Sequence, residues 1–192
     1  MTDTATTSAP TASPAPPAAQ PNLASMRSQL RFIYDSYRTA LFNRKYYASR
    51  LSQYSNYNFW LEVTVAAGAT GGGIASFAIW KSAPGQYAWL AISGLATVLG
   101  VMKPFLKFGE KIERYSKLFA GHGGAFWQLK SIVESIEVQQ AVPPKIIEQY
   151  EVIKKKLEDL DAADDPQPDP TTLVRLQAEV NKEIPAQQLW MP

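Results

Sequence analysis

A stretch of forty residues with a single charge constrains this chain more than any other feature of its sequence. Charged residues make up 19% of the chain, yet between Val63 and Met102 only Lys81 is charged. Because a helix needs about 20 predominantly apolar residues to cross about 30 Å of hydrocarbon, this stretch is long enough for two crossings. The sequence therefore predicts an all-α membrane protein with a hairpin of two transmembrane helices.

The two predicted transmembrane helices span about residues 59–80 and 86–106. The first is only modestly hydrophobic, because it contains Glu62 and four glycines between positions 68 and 73. The second is more strongly apolar, with no charge before Lys103. The first segment is marginal by itself, so we expect the two to insert as a pair.

The residues around the hairpin predict its orientation. Pro84 and Gly85 suit the two central positions of a tight turn, which makes the two helices antiparallel. Five basic and two acidic residues between Lys103 and Lys117 give 5 − 2 = +3, whereas the turn holds only Lys81. The positive-inside rule then predicts that both termini are cytoplasmic. Aromatic residues mark both expected interfaces: Tyr57, Phe59, Trp60, Phe105 and Phe108 on one side, and Trp80, Tyr87 and Trp89 on the other.

Small residues spaced four apart predict close helix packing in both segments. The pairs are Gly68 with Gly72, Gly71 with Ala75, and Ala96 with Gly100. Two interpretations remain open, because these faces suit packing within one hairpin as well as packing between copies. The second interpretation predicts a homo-oligomer.

Glu62 and Lys103 are ionisable residues at the edge of the predicted segments, where such groups are costly and often functional. With both termini on one side of the membrane, the two side chains fall at the same face. An ion pair near the headgroups is favoured over a gating role. Pro104 removes a helix hydrogen bond and crowds the carbonyl of Gly100, so a hinge is expected between these two residues.

The residues before the hairpin divide into a tail and a helix. Residues 1–22 contain five prolines among Ala, Thr and Ser, a composition typical of a disordered segment. From about Leu23 to Tyr57 apolar residues recur at helical spacing, which predicts one long amphipathic helix whose seam is interrupted at Arg44. Six basic residues and one acid give this helix 6 − 1 = +5.

The residues after the hairpin predict breaks as well as helices. Gly121, Gly123 and Gly124, which surround His122, predict a hinge or break in a long helix. Pro143 and Pro144 predict the end of that helix. His122 is interpreted as a turn residue, with a pH-sensitive group as the less favoured alternative.

Two further helices are predicted near the C-terminus. One begins at about Lys145 and carries an apolar stripe, and the other, marked by Leu173, Leu176 and Val180, follows an acidic linker that contains proline. We expect a domain over residues 23–160, then a linker and short helix over residues 161–192. From Lys145 onward the charge is 6 − 10 = −4, which is complementary to the basic first helix.

Several function classes are disfavoured by what the sequence lacks. It contains one histidine and no cysteine, and it has no nucleophile elbow, phosphate-binding loop or HExxH sequence. We therefore expect neither an enzyme nor a cofactor or metal site. The net charge of +2 is too small to indicate a nucleic-acid partner.

The arrangement of residues around the hairpin resembles a known family. A long basic, tyrosine-rich helix carries an arginine-lysine-tyrosine cluster at Arg44 to Tyr47 and runs into two membrane helices joined by a minimal turn. The helix that follows carries Tyr115, His122, Trp127 and Leu129. Over about residues 27–160 the chain resembles the SLATT family, the SMODS and SLOG-associating two-transmembrane effector domains.

This resemblance implies a bacterial effector in a nucleotide-signalled conflict (anti-phage) system, which forms a pore or disrupts the membrane. It implies multi-pass insertion in the inner (plasma) membrane and a nucleotide synthase or sensor partner encoded nearby, since the chain carries no such domain. The alternative is a non-conducting anchor or scaffold that recruits a partner through its cytoplasmic helices. A soluble helical bundle with the apolar hairpin at its core is a third interpretation.

Overall fold

The structure, a computed structural model, describes residues 23–69, 83–165 and 167–192. These residues are mostly helical and contain no β-strand, so the all-α prediction is confirmed. The helices are α1 Leu23–Ala69, α2 Ala83–Leu106, α3 Phe108–Gln139, α4 Pro144–Asp161 and α5 Pro170–Glu183, with a short 3₁₀ helix at Ala186–Gln188. The predicted tail of residues 1–22 lies outside the described residues.

The first helix, α1, is the spine of the fold. It has 47 residues and is about 70 Å long at 1.5 Å per residue. It runs from the predicted amphipathic helix straight into the first predicted membrane segment, because no Pro or Gly interrupts it before Gly68. Gly100 of α2 lies near Val65, and Phe126 of α3 stacks on Tyr37. The α2 and α3 helices therefore run back along α1 in the antiparallel direction.

The start of α2 differs from the prediction. Pro84 and Gly85 lie in its first turn, so the prediction of a tight turn centred on them is wrong. Proline is tolerated in a first turn because its missing N–H would have no intrahelical acceptor there. The connection from α1 to α2 lies outside the described part of the chain.

A hinge was expected between Gly100 and Pro104, and the helix is interrupted three residues later, at Lys107. Pro104 lies within α2, which ends at Leu106, and α3 begins at Phe108. Lys107 between them adopts the left-handed conformation, with φ 49° and ψ 35°. Proline at 104 removes one of the last hydrogen bonds of α2, so the helix terminates within a turn of it.

The helix break predicted at Gly121, Gly123 and Gly124 is absent, because α3 passes through all three without interruption. A Cβ at Gly121 would lie 2.5 Å from Leu160 of α4, and Gly123 lies against the side chain of Arg44 in α1. These glycines let neighbouring helices approach closely. Packing against α1 and α4 offsets their low helix propensity.

Two apolar clusters hold the helices together. The larger joins α1, α3, α4 and α5 around Leu30, Leu129 and Ile136, which are fully buried. The smaller contains Tyr46, Tyr47, Tyr115, Leu118 and Leu176. Burial of each large apolar side chain stabilises the fold by about 1.5–3 kcal/mol.

The C-terminal helices follow the sequence pattern closely. The predicted stop is confirmed, since α3 ends at Gln139 and α4 begins at Pro144. Asp169 caps α5 by accepting a hydrogen bond from the backbone N–H of Thr171 at 3.1 Å. Within α5, Leu176 and Val180 are buried in the same clusters as α1 and α3. Residues of the predicted C-terminal segment 161–192 therefore pack against residues 23–160.

Candidate functional site

The most distinctive surface of the protein is the apolar side of α2. Within the described residues, Pro84–Leu106 is the one helix long and apolar enough to cross a membrane, and very little of it is buried. Its exposed apolar side chains are Tyr87, Leu90, Ile92, Leu95, Val98, Val101, Met102 and Phe105. Of the other predicted span, residues 59–80, the structure describes α1 as far as Ala69.

Small residues bring α1 and α2 together within one hairpin. A Cβ at Gly68 would overlap the Cβ of Ala96, and Ala96 is itself buried. Gly100 lies one turn away and faces Val65. Three of the predicted packing residues thus meet inside the hairpin. The other three, Gly71, Gly72 and Ala75, lie outside the described residues.

Glu62 and Lys103 form the predicted ion pair at the base of the hairpin. The Nζ of Lys103 lies 3.3 Å from Oε1 of Glu62, and both side chains are about half exposed. Asn58 donates a second hydrogen bond to the same carboxylate oxygen at 3.2 Å. An ion pair with this exposure contributes little to stability by itself. The pair shows the register of the two helices, with the turn of α2 that contains Lys103 beside the turn of α1 that contains Glu62.

A row of aromatic rings runs along the seam between α1 and α3, below this ion pair. His122 stacks on Tyr47 with ring centroids 5.4 Å apart, and Tyr47 lies 6.1 Å from Tyr115. Tyr115 stacks on Tyr54 at 5.3 Å, and Tyr54 is 6.2 Å from Phe108. Each contact joins a ring of α1 to a ring of α3. The row therefore connects the centre of the helical bundle with the base of the hairpin.

Asp165 lies beside this row, in the linker between α4 and α5. Its Oδ2 accepts hydrogen bonds from the hydroxyls of Tyr46 at 2.9 Å and Tyr115 at 3.1 Å, and Arg50 Nε is 3.3 Å away. The Asp165 side chain is only 4% exposed. Burial, together with the hydrogen bond to Asp165, raises the pKa of Tyr46 to about 12. One linker carboxylate thus binds residues of both α1 and α3.

His122 is buried rather than in a turn, so that interpretation is wrong. It is 1% exposed, and neither of its ring nitrogens has a hydrogen-bond partner within the described part of the chain. The hydroxyl of Tyr47, whose ring stacks on it, is also unpaired there. Burial lowers the pKa of His122, against an opposing effect of Asp161. The neutral imidazole is favoured, because protonation would bury an unpaired charge.

Arg44, where the seam was expected to be interrupted, is accommodated by aromatic rings. Its guanidinium lies 5.5 Å from the ring centroid of Trp127, 5.6 Å from that of Phe126 and 6.0 Å from that of Phe119. Cation–π contacts of this kind hold a charge against an apolar surface. The aliphatic stem of the residue packs on Gly123.

Sequence reasoning missed the roles of Asp165 and Arg50. Asp165 is one of several acids in a linker that is rich in proline, so its sequence context does not distinguish it. The sequence shows that the first helix is rich in tyrosine. It does not show that Tyr46 and Tyr115 donate hydrogen bonds to the same carboxylate. Among the described residues no group of three or more His, Asp or Glu side chains is arranged to hold a metal ion.

The fold and the site define a helical protein with one helix suited to a membrane. No family model, curated protein or solved structure matches the chain. Its function is therefore argued from its own residues.

Proposed function

We propose that this chain is a two-transmembrane effector that permeabilises a membrane as a homo-oligomer. The helix Pro84–Leu106 crosses the bilayer, and the sequence predicts the other crossing over residues 59–80, of which the structure describes α1 as far as Ala69. The observation that carries this proposal is the exposure of apolar side chains along α2. Exposed apolar surface of this extent is unusual for a protein in water and is satisfied in lipid.

The base of the hairpin has the features expected of a membrane interface. Tyr57, Phe59 and Trp60 are exposed around the turn of α1 that contains Glu62. Aromatic rings of this kind favour the headgroup level, and a half-exposed ion pair is tolerated there. The basic residues from Lys103 to Lys117 follow directly, and by the positive-inside rule they support a cytoplasmic location for the helical bundle and both termini.

A single hairpin cannot enclose an aqueous path, so permeabilisation needs several copies. Gly68 and Ala96 already contact each other within one hairpin, so contacts between copies need another surface. The exposed side of α2 around Leu95 and Val98 is suitable, because it has no partner helix among the described residues. Packing between copies through Gly72 stays a prediction.

The resemblance to SLATT effectors supports the same proposal. It supplies the bacterial inner membrane as the location and a signal-producing partner, encoded nearby, as the trigger. The proposed role is that of the responding component in such a system.

Dye release from liposomes tests the proposal. Purified full-length protein is reconstituted at a series of protein-to-lipid ratios, and release is expected to rise more steeply than linearly with protein density, since several copies must assemble. Protein that inserts and assembles yet leaves the vesicles tight at every ratio would contradict permeabilisation.

A second candidate, a non-conducting anchor or scaffold, is favoured by the way the hairpin packs on itself. A self-contained hairpin needs no second copy. Charged substitution of Ile153 is unsuitable for testing recruitment, because Ile153 is buried in the larger cluster. Val152 is exposed on the same helix, so Val152→Lys should abolish partner recruitment by a scaffold without unfolding it. Only the effector should depolarise cells when overexpressed.

A further inference from the structure

The residues after α4 lie along α1 and are held there by apolar packing and by polar contacts. The partly buried side chains of Leu173, Ile184, Leu189 and Trp190 pack against the two apolar clusters. In α5 only Leu176 and Val180 are buried. Beyond α5, the backbone carbonyl of Trp190 accepts a hydrogen bond from Tyr34 at 2.8 Å, and that of Pro192 accepts one from Arg27 at 2.8 Å. This segment, residues 162–192, is called the strap below.

Ionic contacts of the strap come from the basic face of α1. Lys45 Nζ lies 2.6 Å from Glu183 and 3.8 Å from Glu179. Arg38 donates a hydrogen bond to the side chain of Asn181. The strap's partners in these contacts, Glu179, Asn181 and Glu183, are exposed, and exposed pairs of this kind hold a segment weakly.

Asp165 differs from these exposed ionic contacts of the strap. Its carboxylate is almost fully buried and binds Tyr46 and Arg50 of α1 together with Tyr115 of α3. Arg114 of α3 adds hydrogen bonds to the backbone carbonyls on the N-terminal side, including that of Ala163 at 2.8 Å. A buried carboxylate that loses its partners is strongly unfavourable, so the strap is stable at this point only when all the contacts are made.

We infer that residues 162–192 form a releasable strap, pinned by Asp165, that holds α1 and α3 together below the hairpin and keeps the effector inactive. The position of the pin supports this inference. Tyr115 binds Asp165 and also stacks on Tyr54, two contacts away from the base of the hairpin. Release of the strap frees the seam that connects the bundle to the membrane helices. The regulatory part of the inference rests on the proposed function.

Hydrogen–deuterium exchange on the full-length protein in detergent micelles tests the strap itself. In Asp165→Asn, amides of α5 are expected to exchange severalfold faster, while amides around Leu129 in α3 keep their protection. Asp164→Asn is the matched control, because Asp164 is exposed and the asparagine retains an acceptor for its local turn. Unchanged exchange of α5 in Asp165→Asn would overturn the inference, as would equal loss of protection in α3, since that would mark a general structural role.

A crosslink tests whether release of the strap is what activates the protein. Asp35 and Gln177 line one cavity of about 180 Å³ between α1 and α5, and the chain has no native cysteine. In the double variant Asp35→Cys with Gln177→Cys, a short bismaleimide should link α5 covalently to α1 and so prevent release of the strap.

Dye release distinguishes failure of the regulatory role of the strap from failure of the proposed function. Asp165→Asn should make liposomes leak at a lower protein density than the wild type, and the crosslink should reverse this effect. If α5 opens and leakage does not increase, although the wild type leaks at high density, the regulatory role is overturned. If neither protein ever leaks, the proposed function fails while the exchange result still decides the strap.

Discussion

At the scale of the residue, polar and aromatic side chains act together with leucines to join α1 to α3 near the hairpin. Asp165 accepts hydrogen bonds from two tyrosine hydroxyls and forms an ion pair with Arg50, whereas His122 leaves both ring nitrogens unpaired among the described residues. A buried unpaired polar group costs about 1–3 kcal/mol. His122 is thus kept in the core at a cost to stability.

Replacement of His122 by phenylalanine is expected to stabilise the fold at neutral pH. The ring still stacks on Tyr47, and two unpaired nitrogens are removed, which is expected to raise the free energy of unfolding by about 1 kcal/mol. Chemical denaturation followed by circular dichroism measures this change. His122→Ala, which leaves a cavity, should instead destabilise the protein by about 2 kcal/mol or more.

The stability of the wild type should fall as the pH drops below about 6.5, the ordinary pKa of histidine. Burial lowers the pKa of His122 in the fold, so the unfolded chain takes up a proton at a pH where the folded one does not. The free energy of unfolding therefore decreases with falling pH in this window. Denaturation curves at pH 7.5 and 5.5 should differ less in His122→Phe, and an unchanged difference would contradict the assignment.

At the scale of the element, glycines that looked alike in sequence have different surroundings. Gly121 faces Leu160, Gly68 faces Ala96, and Gly94 and Gly124 have open space where a Cβ would lie. All four lie within helices. The effect on stability of replacing one of these glycines therefore depends on which side chain, if any, lies where the new Cβ would be.

Gly124→Ala should stabilise α3 by about 0.5–1 kcal/mol, because alanine has the higher helix propensity and meets no neighbour. Thermal unfolding checks this expectation. Gly121→Ala gains the same propensity but displaces the end of Leu160, so its net effect should be smaller or destabilising. Destabilisation by Gly124→Ala would restore the hinge interpretation for this part of α3.

Gly68→Leu should separate α1 from α2, because the added side chain has no room beside the Cβ of Ala96. Gly94→Leu is the matched control, since it adds the same side chain to the same hairpin at an open position. Distances between spin labels on the two helices should increase only in the first variant. Equal distances in both would show that the contact between Gly68 and Ala96 does not hold the hairpin together.

At the scale of the whole molecule, the described structure divides by surface chemistry. The bundle of α1, α3, α4 and α5 buries its large apolar side chains in two clusters, whereas α2 exposes nearly all of its own. The surface of the bundle is thus suited to water, whereas that of α2 is apolar enough to be suited to lipid.

Val98→Lys is expected to impair membrane insertion, because a charge near the middle of a spanning helix costs about 2.5–3.5 kcal/mol on insertion scales. Val138→Lys is the control: it changes an equally apolar and more exposed residue at the end of α3. Alkaline carbonate should extract the first variant from membranes and leave the second in place. Extraction of the wild type would indicate a peripheral or soluble protein.

Much of the helical architecture was predictable from local pattern. Uninterrupted helical periodicity predicted α1, two prolines predicted the start of α4, and a gap in charge predicted the apolar length of α2. The complementary charges also meet as expected, between Lys45 and Glu183. The helical features depend on residues near one another in sequence, where propensity, capping and hydropathy act directly.

Only the tertiary structure decided what the glycines, His122 and Asp165 do. Glycine marks a break in isolation, yet contact with α1 and α4 keeps α3 helical through positions 121–124. The linker acid at 165 gains its role from tyrosines that lie 50 and 119 positions away. The forty residues with one charge indicate by themselves a segment suited to lipid. The seam and strap that hold it depend on partners distant in sequence, which no local pattern specifies.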